Sequence, residues 1–226
     1  MTEYQNLFAK MLCSKDYNID GELFFDVFCK AFEADSLYPT VLSRLEFARN
    51  DGKKVFRGVG IENFDDYLKD ITTGRFQRKY KHNNVFGEGL YFTDNPRVAK
   101  KYAGNLLTRL IKRNIITAKI KTTAEFADRR NILKEFSQKK VQLEHSLMKA
   151  FYPVLSENAT IEFLNRLDGG KYYFFKSILL GYDGIFVHVT DWASYYVVYN
   201  RACLCILGQQ KSFDRLTYKE VQNSNE

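Results

Sequence analysis

Apolar residues recur every three to four positions near the start of the chain. They fall at Leu7, Phe8, Met11 and Leu12, then at Leu23, Phe24, Val27, Phe28, Ala31 and Phe32. That spacing places an apolar stripe on each of two helices, and Asn18-Ile19-Asp20-Gly21 between them reads as a turn. A third short helix, from Pro39 to Asn50, is stopped by Asp51-Gly52. From Lys54 the pattern changes. Lys-Val-Phe-Arg-Gly-Val reads as a short strand, a helix is expected over about 63–73 behind Asn63, and a basic polar loop runs from Arg75 to Asn84. Leu90-Tyr91-Phe92-Thr93 reads as a buried strand, and Pro96 opens a helix that runs through Ala99 to Tyr102. Asn114 to Thr122 alternates with Ile116, Ala118 and Ile120 on one side, which predicts a strand.

Residues 129–167 hold two or three amphipathic helices, ended by Leu167-Asp168-Gly169-Gly170. A short apolar helix follows from Phe174 to Leu180. Gly181-Tyr182-Asp183-Gly184 then turns into a strand over Ile185–Val189, and further strands are expected over Tyr195–Tyr199 and Ala202–Leu207. The order predicts an α+β fold. A helical cap occupies 1–50, one mixed-sheet domain 51–210 and a polar tail 211–226.

Composition changes this picture little. The 226 residues suffice for one sizeable core, and an aromatic share of 15% mostly fills it. The net charge of +7 suits an anionic partner such as a dinucleotide, RNA or DNA. With 27 acidic residues against 34 basic ones, however, a surface that is basic all over is excluded. Cys13, Cys29, Cys203 and Cys205 form no C-x-x-C pair, so no zinc site is expected. Cys203 and Cys205 are read as small hydrophobes on one face of a strand, and the thiols as reduced. The chain opens Met-Thr-Glu-Tyr-Gln without a basic, then apolar, leader, and no apolar run approaches the ~20 residues of a membrane span. A cytoplasmic protein with no membrane partner is expected.

Three segments carry candidate chemistry. In Val55-Phe56-Arg57-Gly58-Val59 an arginine on a strand offers a planar fork to phosphate or ribose oxygens, and Gly58 allows close backbone approach. In Phe86-Gly87-Glu88-Gly89-Leu90-Tyr91-Phe92-Thr93-Asp94, two glycines lead into a strand bearing Tyr91, and the following helix presents Tyr102. Two such tyrosines can sandwich a flat ring while the glycine backbone at Gly89 offers amides to a carboxamide. Leu180-Gly181-Tyr182-Asp183-Gly184-Ile185 and Tyr195-Tyr196-Val197-Val198-Tyr199-Asn200 close the set as turn, strand, loop and strand. Beside these, Arg75, Arg78, Lys79 and Lys81 interleave with aromatics. They read either as an acceptor or nucleic-acid contact or as a solvated loop.

Together the three segments resemble the ADP-ribosyltransferase superfamily over about residues 53–208. Phe-Arg-Gly-Val is similar to the first-strand motif of its arginine-type branch. The Gly-x-Gly-Leu-Tyr-Phe-Thr-Asp string is similar to the second motif of the polymerase-like branch, and the closing strands to many bacterial members. The resemblance implies a split mixed β-sheet core behind the helical cap, and NAD⁺ as substrate. Arg57 would hold the phosphate or ribose side, and Gly58 the nicotinamide amide through its backbone. Tyr91 and Tyr102 would stack on the nicotinamide ring, and Thr93 would support the ribose. It further implies single transfer of ADP-ribose to a macromolecular acceptor (protein, RNA or DNA), as in an intracellular bacterial or phage toxin or effector countered by an antitoxin or immunity protein. One position departs from the family. Where most active members carry a glutamate, this chain has Tyr195, or Ser194 if the register slips by one, and no glutamate lies between Glu162 and Glu220. Asp183, Asp191, Glu88 and Glu125 are the acids left to be considered. A binding module without catalysis and an NAD⁺ glycohydrolase are the alternatives.

Overall fold

The computed structural model describes residues 2–13, 21–32, 51–59, 86, 89–103, 114–151, 155–169 and 172–211. Its elements are, in chain order, α1 (Glu3–Cys13), α2 (Gly21–Ala31), β1 (Lys53–Val59), β2 (Leu90–Thr93), α3 (Pro96–Tyr102) and β3 (Asn114–Ile120). There follow β4 (Phe126–Asp128), α4 (Ile132–Phe151), α5 (Glu157–Arg166), α6 (Tyr173–Leu179), β5 (Gly184–Thr190), β6 (Ala193–Val198) and β7 (Leu204–Lys211), the last entered through a 3₁₀ turn at Arg201–Cys203. The helices expected at 39–50 and 63–73, the basic loop at 75–84 and the tail after 211 lie outside the described residues.

The strands form one mixed sheet of seven in the order β4-β5-β6-β2-β1-β3-β7. β4 runs parallel to β5, while the other neighbours are antiparallel. The fold is therefore α+β, as the order of apolar patterns predicts. Each strand sorts its side chains by alternation, and the register carries the sorting across the sheet. Val55 and Val59 of β1, Phe92 of β2, Ile116 and Ala118 of β3 and Tyr196 and Val198 of β6 share one buried cluster. Phe126 of β4, Phe186 of β5 and Ile206 of β7 pack against it. That cluster contains no helical side chain from α1 to α6, so the sheet curls until its two ends bury one face against each other.

The opposite face of the β5–β6 end is covered by helices. Ile185, Val187 and Val197 join Phe136, Leu143, Leu147 and Phe151 of α4, Phe163 and Leu164 of α5 and Phe174, Phe175, Ile178 and Leu179 of α6. α1 and α2 belong to this same cluster. The Phe8 ring lies 5.3 Å from Phe151, and Phe24 lies 5.5 Å from Phe174 and 5.0 Å from Phe175. The N-terminal helices thus cap the helical layer with phenylalanines; they share its core rather than standing apart from it. Among the described residues, no helix is long and apolar enough to cross a membrane.

Two expectations shift. The last strand begins at Leu204, because Asn200 caps a 3₁₀ turn by accepting from the Ala202 amide. Cys203 therefore sits in the turn, buried with Leu204, while Cys205 is half-buried opposite Lys119. The two thiols do not share a strand face. β4 is new: three residues whose pairing comes from β5, from Phe126↔Gly184 to Asp128↔Phe186.

One buried cation sets a pH dependence. Lys176 of α6 is fully buried, donating to the Gly169 carbonyl at 2.9 Å with its ammonium 5.6 Å from the Tyr173 ring and 5.9 Å from Phe136. Burial pulls its pKa down to about 8, against the opposing pull of Asp168, which is itself paired with Lys140. The folded protein releases this proton before the unfolded chain does, so stability rises as pH climbs from about 8 toward 10. Above about 10 the buried tyrosines reverse the slope, since Tyr91 and Tyr199 are held protonated in the fold. Urea midpoints between pH 7 and 10 should rise for the natural chain and stay flatter for Lys176→Met. Equal slopes would show that this ammonium is not desolvated.

Candidate functional site

The described site residues lie on β1, β2 and β6 and on α3, which packs against β1 at Gly58. β1 meets β2 at one register pair, Phe56 with Thr93. On β2 the ladder continues to β6 through Tyr91↔Val197 and Thr93↔Tyr195. Because β1 and β2 part beyond Phe56, Arg57 reaches across the opening, and its Nη1 donates to the Tyr91 carbonyl at 2.9 Å. Arg57 is half-buried. That bond and the paired strand hold the guanidinium in a fixed place at the edge of the opening.

α3 is held close to this seam. Asn95 caps it by accepting from the Arg97 amide at 2.9 Å, and Pro96 occupies the first turn. Gly58 is what lets the helix approach. A Cβ there would stand 1.9 Å from the Ala99 carbonyl oxygen and 2.6 Å from the Ala103 nitrogen. The role visible for Gly58 is thus close packing of α3 against β1, with Phe56, Ala99 and Ile115 buried beside it. Thr93 is buried, and its hydroxyl oxygen accepts from the Asn95 amide at 3.2 Å. It shapes the turn into α3 and does not line an open surface.

The tyrosines divide into two groups. Tyr91 packs toward the helical core, and its hydroxyl oxygen accepts from the Phe86 amide at 3.2 Å. Tyr199, fully buried, donates to the Phe86 carbonyl at 2.7 Å. Gly89 lies against Tyr199 and Val197, each with a side-chain atom 2.9 Å from where a Cβ would be. Burial pushes the Tyr91 phenol up to about 12, against the downward pulls of the Phe86 amide and Arg57. Tyr102 meets Tyr195 instead of Tyr91. Their hydroxyls are 2.9 Å apart and their rings stand edge to face at 6.0 Å. Burial, then the hydrogen bond to Tyr102, raises the Tyr195 pKa well above the ordinary tyrosine value. Both phenols near the seam therefore stay protonated at neutral pH, and each can donate or accept.

The acids are placed unequally. Asp183 is buried: one carboxyl oxygen accepts from the Glu125 amide at 2.9 Å and the other from Asn200 Nδ2 at 2.7 Å. It ties the start of β5 to two other segments and is not a free acid. Asp191 is fully exposed in the β5–β6 turn, 4.0 Å from His188, and Glu125 is exposed before β4. Glu88, Arg75, Arg78, Lys79 and Lys81 lie outside the described residues.

Motif reading passed over one network. Lys53 donates to the Tyr196 hydroxyl at 2.6 Å and to Asp94 Oδ2 at 3.1 Å, while Asp94 Oδ1 accepts from the Ser194 amide at 2.9 Å. Burial lowers the Lys53 pKa, but Tyr196 and Asp94 outweigh it and leave the ammonium above its ordinary value. The network fixes β1, the β2–α3 turn and β6 together, one residue from Tyr195. Asp94 at the end of the Leu-Tyr-Phe-Thr string was the only sequence signal for it. Among the described residues, no group of histidines, cysteines and acids could hold a metal ion. No protein-family model, curated protein or solved structure matches this chain.

Proposed function

We propose that this chain is a mono-ADP-ribosyltransferase. It would cleave NAD⁺ and pass ADP-ribose to a macromolecular acceptor inside the cell, as a toxin or effector would. The observation that carries the reading is the meeting of the two motif strands. Arg57 and the Tyr91 backbone are joined across the one-pair seam of β1 and β2, with Tyr195 opposite Thr93 and Tyr102 above it. Arg57 binds phosphate or ribose oxygens of NAD⁺. The Tyr102–Tyr195 pair and backbone groups near Gly58 and Gly89 receive the nicotinamide, while Tyr91 packs beside them toward the helical core.

In the reaction the bond between nicotinamide nitrogen and ribose C1″ breaks, and its electron pair leaves with neutral nicotinamide. The acceptor's nucleophile then bonds C1″ and sheds its proton. The protein's part is to orient both reactants and stabilise the cation that develops on the ribose. The neutral Tyr195 phenol can hydrogen-bond a ribose hydroxyl but brings no negative charge. Single transfer therefore fits better than chain-building.

Removing one charge-assisted hydrogen-bond group costs about 1.5–3 kcal/mol, which is roughly tenfold to a hundredfold in rate. Adenylate-labelled NAD⁺ incubated with cell extract should label a macromolecule, and Arg57→Ala should label it at least about tenfold more slowly at unchanged melting temperature. Absence of label from protein, RNA and DNA alike would remove the proposal. The lack of a carboxylate on β6 favours a second reading, an NAD⁺-binding module without transfer. Calorimetric NAD⁺ binding with no nicotinamide release would select it, whereas release without a labelled acceptor would point to a glycohydrolase.

A further inference from the structure

Helix α3 turns Ala99 and Ala103 toward β1. At about 100° per residue, Arg97 and Lys101 then lie one turn apart on the outer side, with Tyr102 on the flank toward Tyr195. Arg97 and Lys101 are exposed, and α3 carries no acidic residue. The helix has 7 residues, so its ends are about 10 Å apart. An exposed aromatic stands at each end. Tyr102 is 66% exposed at the C-terminal end, and Trp192 is 59% exposed. The Trp192 carbonyl accepts from Asn95 Nδ2 at 3.0 Å, which sets that residue beside the helix N-terminus.

The strand beneath continues the charge. Lys54 stands directly opposite Lys119 in the β1–β3 ladder. It lies on the Phe56 face that α3 covers further along, with its ammonium 5.7 Å from the Phe56 ring. Cations alone suit any anion. The two exposed rings narrow the choice, because bases stack on aromatic faces whereas a lipid headgroup or an acidic peptide offers no such flat surface.

We propose that this face binds single-stranded nucleic acid, with bases stacking on Trp192 and Tyr102 and phosphates held by the exposed Arg97 and Lys101. The strand then passes beside Tyr195. Its being the acceptor of ADP-ribose rests on the transferase reading; the binding itself does not.

The test is fluorescence anisotropy with labelled single-stranded DNA and RNA of about twenty nucleotides, on the full chain and without NAD⁺. Binding should be measurable near 50 mM salt and fall steeply with added salt. The Arg97→Glu/Lys101→Glu protein should bind at least about tenfold more weakly, and so should Trp192→Ala, with thermal melting unchanged. Duplex DNA should bind less tightly than single strands, because its bases are not free to stack. No binding at low salt would overturn the proposal. So would equal binding to duplex, polyglutamate or phosphatidylserine vesicles, or a Trp192→Ala protein that binds as well as the natural chain. Label transfer from NAD⁺ by a chain that binds no oligonucleotide would sink this proposal alone. Oligonucleotide binding with no label on protein, RNA or DNA in the extract would sink only the transferase reading.

Discussion

Asp183→Ala is expected to lower the unfolding free energy by about 3–4 kcal/mol. The part-buried Glu125 amide and the buried Asn200 Nδ2 lose their acceptor together, and each stranded donor costs about 1–3 kcal/mol. The Asp183 backbone is occupied as well. Its amide donates to the Glu125 carbonyl at 2.8 Å, and its carbonyl accepts from the Tyr199 and Asn200 amides at 3.0 and 2.9 Å. Loosening this residue therefore loosens β4, β5 and the exit from β6 in one event. Asp183→Asn tests the chemistry more finely. It keeps the shape, but its amide group turns a donor toward a donor, so roughly half of the loss should remain. Urea unfolding of the three proteins is the measurement. An alanine variant within about 0.5 kcal/mol of the natural chain would mean that water readily replaces the carboxyl group.

The second large effect is expected from one methyl group. Gly58→Ala gains backbone rigidity worth about 0.5–1 kcal/mol in a strand. Against that, the new carbon would sit 1.9 Å from the Ala99 carbonyl oxygen. The Ala99 oxygen and the Ala103 nitrogen, 2.6 Å away, are both backbone atoms of α3 and its C-cap, so no side chain can rotate away and the whole helix must move. Overpacking typically costs about 1–3 kcal/mol, and here the upper end applies. The net expectation is a loss of about 2 kcal/mol together with separation of Tyr102 from Tyr195. Denaturant unfolding reads the first. The second shows as a lowered phenol pKa at Tyr195 in an ultraviolet titration, since burial and the Tyr102 hydroxyl are what raise it. A stable Gly58→Ala protein with an unchanged titration would contradict the packing argument.

The contrast between these residues explains what sequence reading could reach. Alternation of Ile116, Ala118 and Ile120 made β3 legible, and the apolar run Leu90–Phe92 made β2 legible as a buried strand. The turn reading of Asp183 was sound as far as it went. Its carboxyl partners lie 58 and 17 positions away, and no local pattern reports them. β4 escaped because three residues carry no period. Its existence depends on β5, not on its own side chains. Cys203 was misplaced because the Asn200 cap inserts a turn that apolar alternation cannot register. At the site, the motif string pointed to Arg57 and Tyr91, and the structure joins them by a hydrogen bond. It could not pair Tyr102 with Tyr195, since that contact depends on how closely α3 lies on the sheet, and Gly58 decides it.

The parallel pairing of β4 with β5 has a consequence for how the chain folds. Antiparallel neighbours can close through a short turn, as β5 and β6 do around Asp191 and Trp192. Parallel ones need a long crossover. Here residues 129–183 make that crossover, and α4, α5 and α6 are all within it. Loop-closure entropy must be overcome before so non-local a contact returns anything. The edge of the sheet therefore cannot be completed until the helical layer has condensed, and α1 and α2 are part of that layer. Docking of the N-terminal helices is thereby coupled to closure of the edge strand β4, which begins at Phe126, far along the chain from α2.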